Sequence, residues 1–479
     1  MDFICRNYSR DRYPQAEKKS VLLLKFCNKK MNYNLKSINW KHKIESNLGV
    51  LIFFYLILIH LPWINFNGVT AGDTQGYVDV SINWFNSEVI YLRPIIYPIF
   101  IYLSKLIGTG TFGILIYIQI LFYAMSGVLF YNILVQQKIK LKKLYLALLV
   151  IISFSAPQAL ALNQVVLPEM LPLFFILLFF NFILKPSTLR NSIVISILIL
   201  TSILLKPLWL LLLVFPIIKL IYSEKNFNNI LYGFIVPITL TISLYSTNQY
   251  LVAKKGVNTV TASTFDVNTN LALIRMGLIN GSENTKLNSY LISKNLIQEI
   301  NQRSWTNDKV EFSKFTQIKD QIPWEYREDS HFWKNVLIKN PNNLFKYFSF
   351  QLSRIPIFFS TSAENGRVKF LPNFLNSIYQ RFYSNIHSKH IAGSLFLVFT
   401  FIICLFNFKQ LTINKILFFL ILGVGIILCL LTYQNSHFVR MRGVIEPFII
   451  YTTLYSCIRI IIFLKAKRHT KFKKHQTIN

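Results

Sequence analysis

Apolar runs near the length of a membrane helix recur along this chain from residue 48 to residue 464, and nothing else in it so narrows the fold. A helix needs about 20 apolar residues to cross ~30 Å of hydrocarbon. Runs at 48–66, 112–135, 144–162, 170–184, 228–250, 391–408, 416–433 and 444–464 approach that length. Residues 192–221 are too long for one span and carry Lys206-Pro207 near the middle, which suits two short or broken helices. Residues 95–107 are interrupted by Pro98, Ser104 and Lys105 and read as a juxtamembrane helix. The expectation is an all-α polytopic membrane protein of about ten spans.

Composition agrees: 53% of the 479 residues are hydrophobic, 15% are charged, and mean hydropathy is +0.42. A soluble domain does not need that much apolar surface. The order of runs gives a basic cytoplasmic tail at 1–46 and a membrane module at 47–250 whose first outer loop is 67–111. A mainly helical extracytoplasmic insert follows at 251–388, then further spans at 389–464 and a basic cytoplasmic tail at 465–479. Within the insert, Phe345, Phe348, Leu352 and Ile355 fall at helical spacing, so that stretch is expected to lie on the membrane plane.

A net charge of +31, from 51 Lys+Arg against 20 Asp+Glu, would suggest nucleic acid in a soluble protein. Here the cations sit in both tails, at Lys138 to Lys143, at Lys185 and Arg190, and at Lys409 and Lys415. They flank apolar runs on alternate sides, as the positive-inside rule requires, and attraction to anionic headgroups of membrane lipids accounts for them without nucleic acid. Five cysteines offer no disulfide framework and no CxxC metal site, and eight scattered histidines, His437 among them, show no ligand spacing.

Charges beside apolar runs are the candidates for chemistry on a lipid-borne substrate. Asp73 follows the first run, and Tyr77 lies four residues on, which puts both on one face of a helix starting at Thr74. Asp73 serves equally well as the N-cap of that helix. Arg93-Pro94 opens the juxtamembrane stretch. Glu169 lies in a turn between two runs, where an acid has a partner or complements a helix dipole. Lys206, at the break before Pro207, fits a phosphate ligand or a snorkelling side chain. Arg440 and Arg442 lie in an outer turn, against the positive-inside pattern, and an anionic ligand such as a lipid phosphate would explain them.

The order of these features resembles the GT-C superfamily of membrane glycosyltransferases, in the branch of protein mannosyltransferases and of aminoarabinose and Rgt-type lipopolysaccharide transferases. The matching pieces are Gly72-Asp73-Thr74-Gln75-Gly76-Tyr77, Arg93-Pro94-Ile95-Ile96-Tyr97-Pro98, Leu167-Pro168-Glu169, Lys206-Pro207, Arg440-Met441-Arg442 and Glu446-Pro447. The resemblance implies transfer of a sugar from a polyprenyl-phosphate donor to a glycan, lipid or protein acceptor on the outer face of the plasma (inner) membrane, with inversion. Asp73 would be the general base, with Glu169 positioning base or acceptor. Tyr77 and Lys206 would line the substrate site, and Arg93, Arg440 and Arg442 would neutralise the leaving lipid phosphate. No cofactor is implied with certainty, and a divalent cation stays open. An O-antigen ligase or polymerase would rely on a large outer loop with paired arginines. A lipid or glycan transporter would show internal repeats and charges deep within spans.

Overall fold

The computed structural model describes residues 47–61, 68, 74–82, 94–108, 112–139, 141–222, 226–254, 274, 286–296, 322–323, 326, 341–353, 355, 411–431 and 442–476. The expected span at 391–408, both extreme tails and most of the insert lie outside them. Two compact units divide the chain, Met1–Leu51 and Ile52–Asn479. Every contact below belongs to the second.

Among the described residues the chain is helical and holds no strand, as expected for the all-α class. In order, the helices are α1 Asn47–Leu58, α2 Thr74–Ile82, α3 Ile96–Ile107, α4 Gly113–Gln136, α5 Lys143–Phe154, α6 Pro157–Leu162, α7 Leu171–Ile183 and α8 Leu189–Leu205. A 3₁₀ turn Pro207–Leu213 leads into α9 Val214–Tyr222. Next come α10 Phe227–Ile230, a π turn Leu231–Ile235 and α11 Val236–Lys254. α12 Lys286–Ser293, α13 Pro341–Ser353, α14 Ile413–Leu431 and α15 Glu446–Gln476 complete the order.

Among the described residues two helices are long and apolar enough to cross a membrane, α4 and the continuous rod Phe227–Asn248. Others are apolar but shorter. α5 and α7, of 12 and 13 residues, measure roughly 18–20 Å at 1.5 Å per residue, short of ~30 Å of hydrocarbon. The run at 144–162 is therefore not one helix: α5 stops at Phe154 and α6 restarts at Pro157. Pro157 has no N–H to continue the ladder, and Ser155 Oγ bonds back to Ile151 O at 2.7 Å.

α4 packs against α3, α5 and α7, α7 against α8, α8 against α11, and α15 against α5. Aromatic rings join five helices. Phe130 of α4 lies 5.9 Å from Phe154 of α5, 5.4 Å from Phe448 and 5.0 Å from Tyr451 of α15. Phe180 of α7 lies 5.6 Å from Phe215 of α9 and 6.3 Å from Phe448. Each such pair contributes about 0.5–1.5 kcal/mol beyond its burial. Close approach needs small residues too: a Cβ on Gly127 would collide with Leu56 of α1.

Hydroxyls inside the helices bond to carbonyls one turn back, as at Ser126, Ser153, Ser196 and Thr452, the arrangement apolar surroundings require. A seam of them ties α8 to the rod. Ser192 Oγ donates to Tyr232 O, Ser196 Oγ to Pro237 O at 3.3 Å and Thr241 Oγ1 to Ser196 O at 3.5 Å. The amphipathic segment of the insert is helical as α13: Tyr347 is buried, and Phe345, Phe348 and Leu352 are exposed.

Candidate functional site

Four of the sequence stretches singled out above converge. α2 begins at Thr74 and packs on α3, which follows Pro94. Thr74 Oγ1 donates to Val166 O at 3.1 Å, pinning the start of α2 to the turn that precedes Glu169. Tyr77, Tyr97 and Ile101 share one buried cluster with Val165, Val166 and Leu167 of that turn, and with Leu205, the last residue of α8. The next residue, Lys206, leaves the helix with an extended backbone (φ −157°, ψ 120°), because Pro207 disfavours helical geometry before it. Its Nζ thereby reaches Glu169 Oε1 at 3.1 Å.

This ion pair is buried: the Glu169 side chain is 0% exposed and that of Lys206 12%. A carboxylate so enclosed remains charged only with hydrogen bonds or an opposite charge in place. Lys206 thus holds Glu169 in place.

The turn carrying Glu169 is held by Gln119, a buried amide in the second turn of apolar α4. Its Nε2 donates to Asn163 O and Val165 O, both at 3.1 Å, and its Oε1 accepts from Tyr97 OH at 3.2 Å. Tyr97 meets Tyr77 edge to face at 5.3 Å. On α3, burial first, then the electrostatic influence of Glu169 and of Tyr77, push the Tyr97 phenol well above its ordinary range. It remains a hydrogen-bond donor. Beneath the turn, Asn163 Nδ2 donates to Ala159 O at 3.0 Å and to His60 Nε2 at 3.2 Å, and His60 Nδ1 donates to Leu56 O at 2.5 Å. These bonds define a neutral imidazole with its proton on Nδ1.

Tyr77, Glu169 and Lys206 thus belong to one assembly. Arg442 forms a second pair, Nε to Glu446 Oε2 at 3.0 Å, buried where α15 begins. Asp73, Arg93 and Arg440 lie outside the described residues; in sequence the first two adjoin Thr74 and Pro94. Asp79 accepts from Gln75 Nε2 at 2.7 Å in an exposed pair. Among the described residues no three His, Cys, Asp or Glu side chains gather as metal ligands.

Sequence reasoning passed over Gln119, Asn163 and His60, and named Tyr97 only within the Arg93 to Pro98 stretch. For Gln119 a signal existed, since an amide inside an apolar span must find partners there. No protein-family model matches the chain, and neither a curated protein nor a solved structure does.

Proposed function

We propose that this chain is a polytopic membrane glycosyltransferase of GT-C type. It would cross the plasma (inner) membrane about ten times and transfer a sugar, with inversion, from a polyprenyl-phosphate donor to a glycan, lipid or protein acceptor on the outer, periplasmic face. The observation that carries this reading is the convergence of α2, α3, the Glu169 turn and the end of α8 on one buried ion pair. These segments span more than a hundred residues of sequence and bring Tyr77, Glu169 and Lys206, each singled out in the sequence, into one neighbourhood. Helix surfaces support immersion in lipid. Only 17% of the most apolar stretch of Phe227–Asn248 is buried, and an apolar helix left so bare needs a non-aqueous surround.

In this mechanism Asp73 takes the proton of the acceptor hydroxyl as its oxygen attacks the anomeric carbon. The bond from that carbon to the lipid phosphate breaks on the opposite face, which inverts the centre. Negative charge develops on the departing phosphate, where fixed cations act most strongly. Arg442 already faces Glu446, so Arg93 and Arg440 carry the larger share. Glu169, held by Lys206, orients acceptor or base, and Tyr77 forms a wall of the pocket beside Tyr97.

The test is transfer of radiolabelled sugar from a polyprenyl-phosphate pool in membranes carrying the wild type or Asp73→Asn at equal abundance. Loss in the variant supports the base assignment. Full activity in Asp73→Asn removes it, and no transfer by either protein moves the weight to a ligase or transporter.

A further inference from the structure

The other end of α8 holds a second group of cations, which sugar transfer does not use. The 17 residues of α8 put it about 25 Å from Lys206 at 1.5 Å per residue. Lys219 of α9 is 7% exposed, and its Nζ donates to Lys185 O at 2.8 Å. An ammonium carries three donors, yet no carboxylate bonds Lys219 among the described residues. Beside it the Ser187 hydroxyl oxygen is buried without a hydrogen-bond partner. A Cβ placed on Gly233 would lie 2.8 Å from Ser187 Oγ and 4.0 Å from Lys219 Cε, so Ser187 and the Lys219 stem both pack against the π turn. Two further lysines stand close in the chain or one helical turn along. Lys185 Nζ lies 4.4 Å over the Phe182 ring, and Lys415 Nζ 4.1 Å over the ring of Tyr222, which follows Lys219 on α9.

A buried ammonium with one carbonyl partner is costly, and an anion offsets that cost. The flanking surface identifies the kind of anion. Phe227 of α10, the helix that leads into the π turn, is exposed, so a ligand whose charged head meets Lys219 has apolar helix surface nearby for its tails. Basic pockets between membrane helices on the cytoplasmic side hold anionic headgroups in this way, and π turns recur at functional positions.

We propose that Lys219, Lys185 and Ser187 form a binding site for the phosphate of an anionic phospholipid at the cytoplasmic surface. A free phosphate shares the oxyanion chemistry, and the experiment separates the two. Only the side of the membrane rests on the topology proposed above. Binding is read without sugar transfer, so an Asp73→Asn protein inactive in transfer still binds the lipid.

The full chain, reconstituted in phosphatidylcholine nanodiscs, is titrated with phosphatidylglycerol in one arm and inorganic phosphate in the other, with thermal stabilisation as the readout. The wild type is stabilised by phosphatidylglycerol, and Lys219→Gln weakens this roughly fivefold or more. Ser187→Ala, which leaves every described packing contact in place, weakens it about two- to threefold and keeps the test open if Lys219→Gln does not fold. Lys138→Gln, at an exposed lysine of another basic loop, retains wild-type binding. Equal loss in Lys138→Gln, or no loss in Ser187→Ala and Lys219→Gln, overturns the site. Stabilisation by phosphate with no preference for the lipid overturns the lipid assignment.

Discussion

Replacing Lys206 by Met would leave the Glu169 carboxylate, 0% exposed, without its lysine. At 3.1 Å the attraction is strong: two unit charges 4 Å apart interact by about 4 kcal/mol at an effective dielectric of 20. Breaking a buried pair from one side costs about 3–5 kcal/mol, while removing both charges together costs far less. The single variants Lys206→Met and Glu169→Gln are therefore compared with the double variant. Unfolding in a fixed detergent is followed by the Trp signal across a denaturant series. Lys206→Met is expected to lose about 3–5 kcal/mol and the double variant to regain more than half of it. Transfer activity separates structure from chemistry. A pair that only braces the fold recovers activity in the double variant, whereas a Glu169 that orients the acceptor does not. Stability of Lys206→Met within ~0.5 kcal/mol of wild type, the range of ordinary surface substitutions, would refute the buried pair.

Gln119→Leu removes the clamp on Asn163 O, Val165 O and Tyr97 OH, and is expected to destabilise by about 2–3 kcal/mol. Protease susceptibility of the 163–170 turn should rise, and an unchanged cleavage rate would show that other contacts hold the turn. Arg442→Met removes the guanidinium that pairs with the buried Glu446 carboxylate, with a cost of about 3–5 kcal/mol that Arg442→Met/Glu446→Gln largely recovers. A denaturant midpoint that falls equally in single and double variants would count against the pair.

Much of this architecture can be read from residue types alone. The apolar runs at 112–135, 170–184 and 416–433 correspond to α4, α7 and α14 within a few residues, because the same side chains that favour hydrocarbon also favour helix. The break at Lys206-Pro207 was legible from proline chemistry, and so was the start of α2 at Thr74. Pro157 carried the same signal, yet the run around it is apolar enough to hide the interruption. α15 continues past its apolar part to Gln476, since lysine and arginine are good helix formers in water. Partnership was not legible: Lys206 and Glu169 stand 37 residues apart, and only the packing of α7 on α8 decides that they meet. The Arg442–Glu446 pair was legible, since the acid stands one helical turn along from the arginine.

The π turn at Leu231–Ile235 has a consequence for how this gene can vary in length. Such a turn holds one residue more than the helical path needs, so loss of a residue there closes it into ordinary helix and leaves both flanks in phase. Loss of a residue anywhere else in the rod rotates everything beyond it by about 100°, which would swing Thr241 away from Ser196 and break the seam with α8. Single-residue deletions in this stretch should therefore survive selection only between 231 and 235.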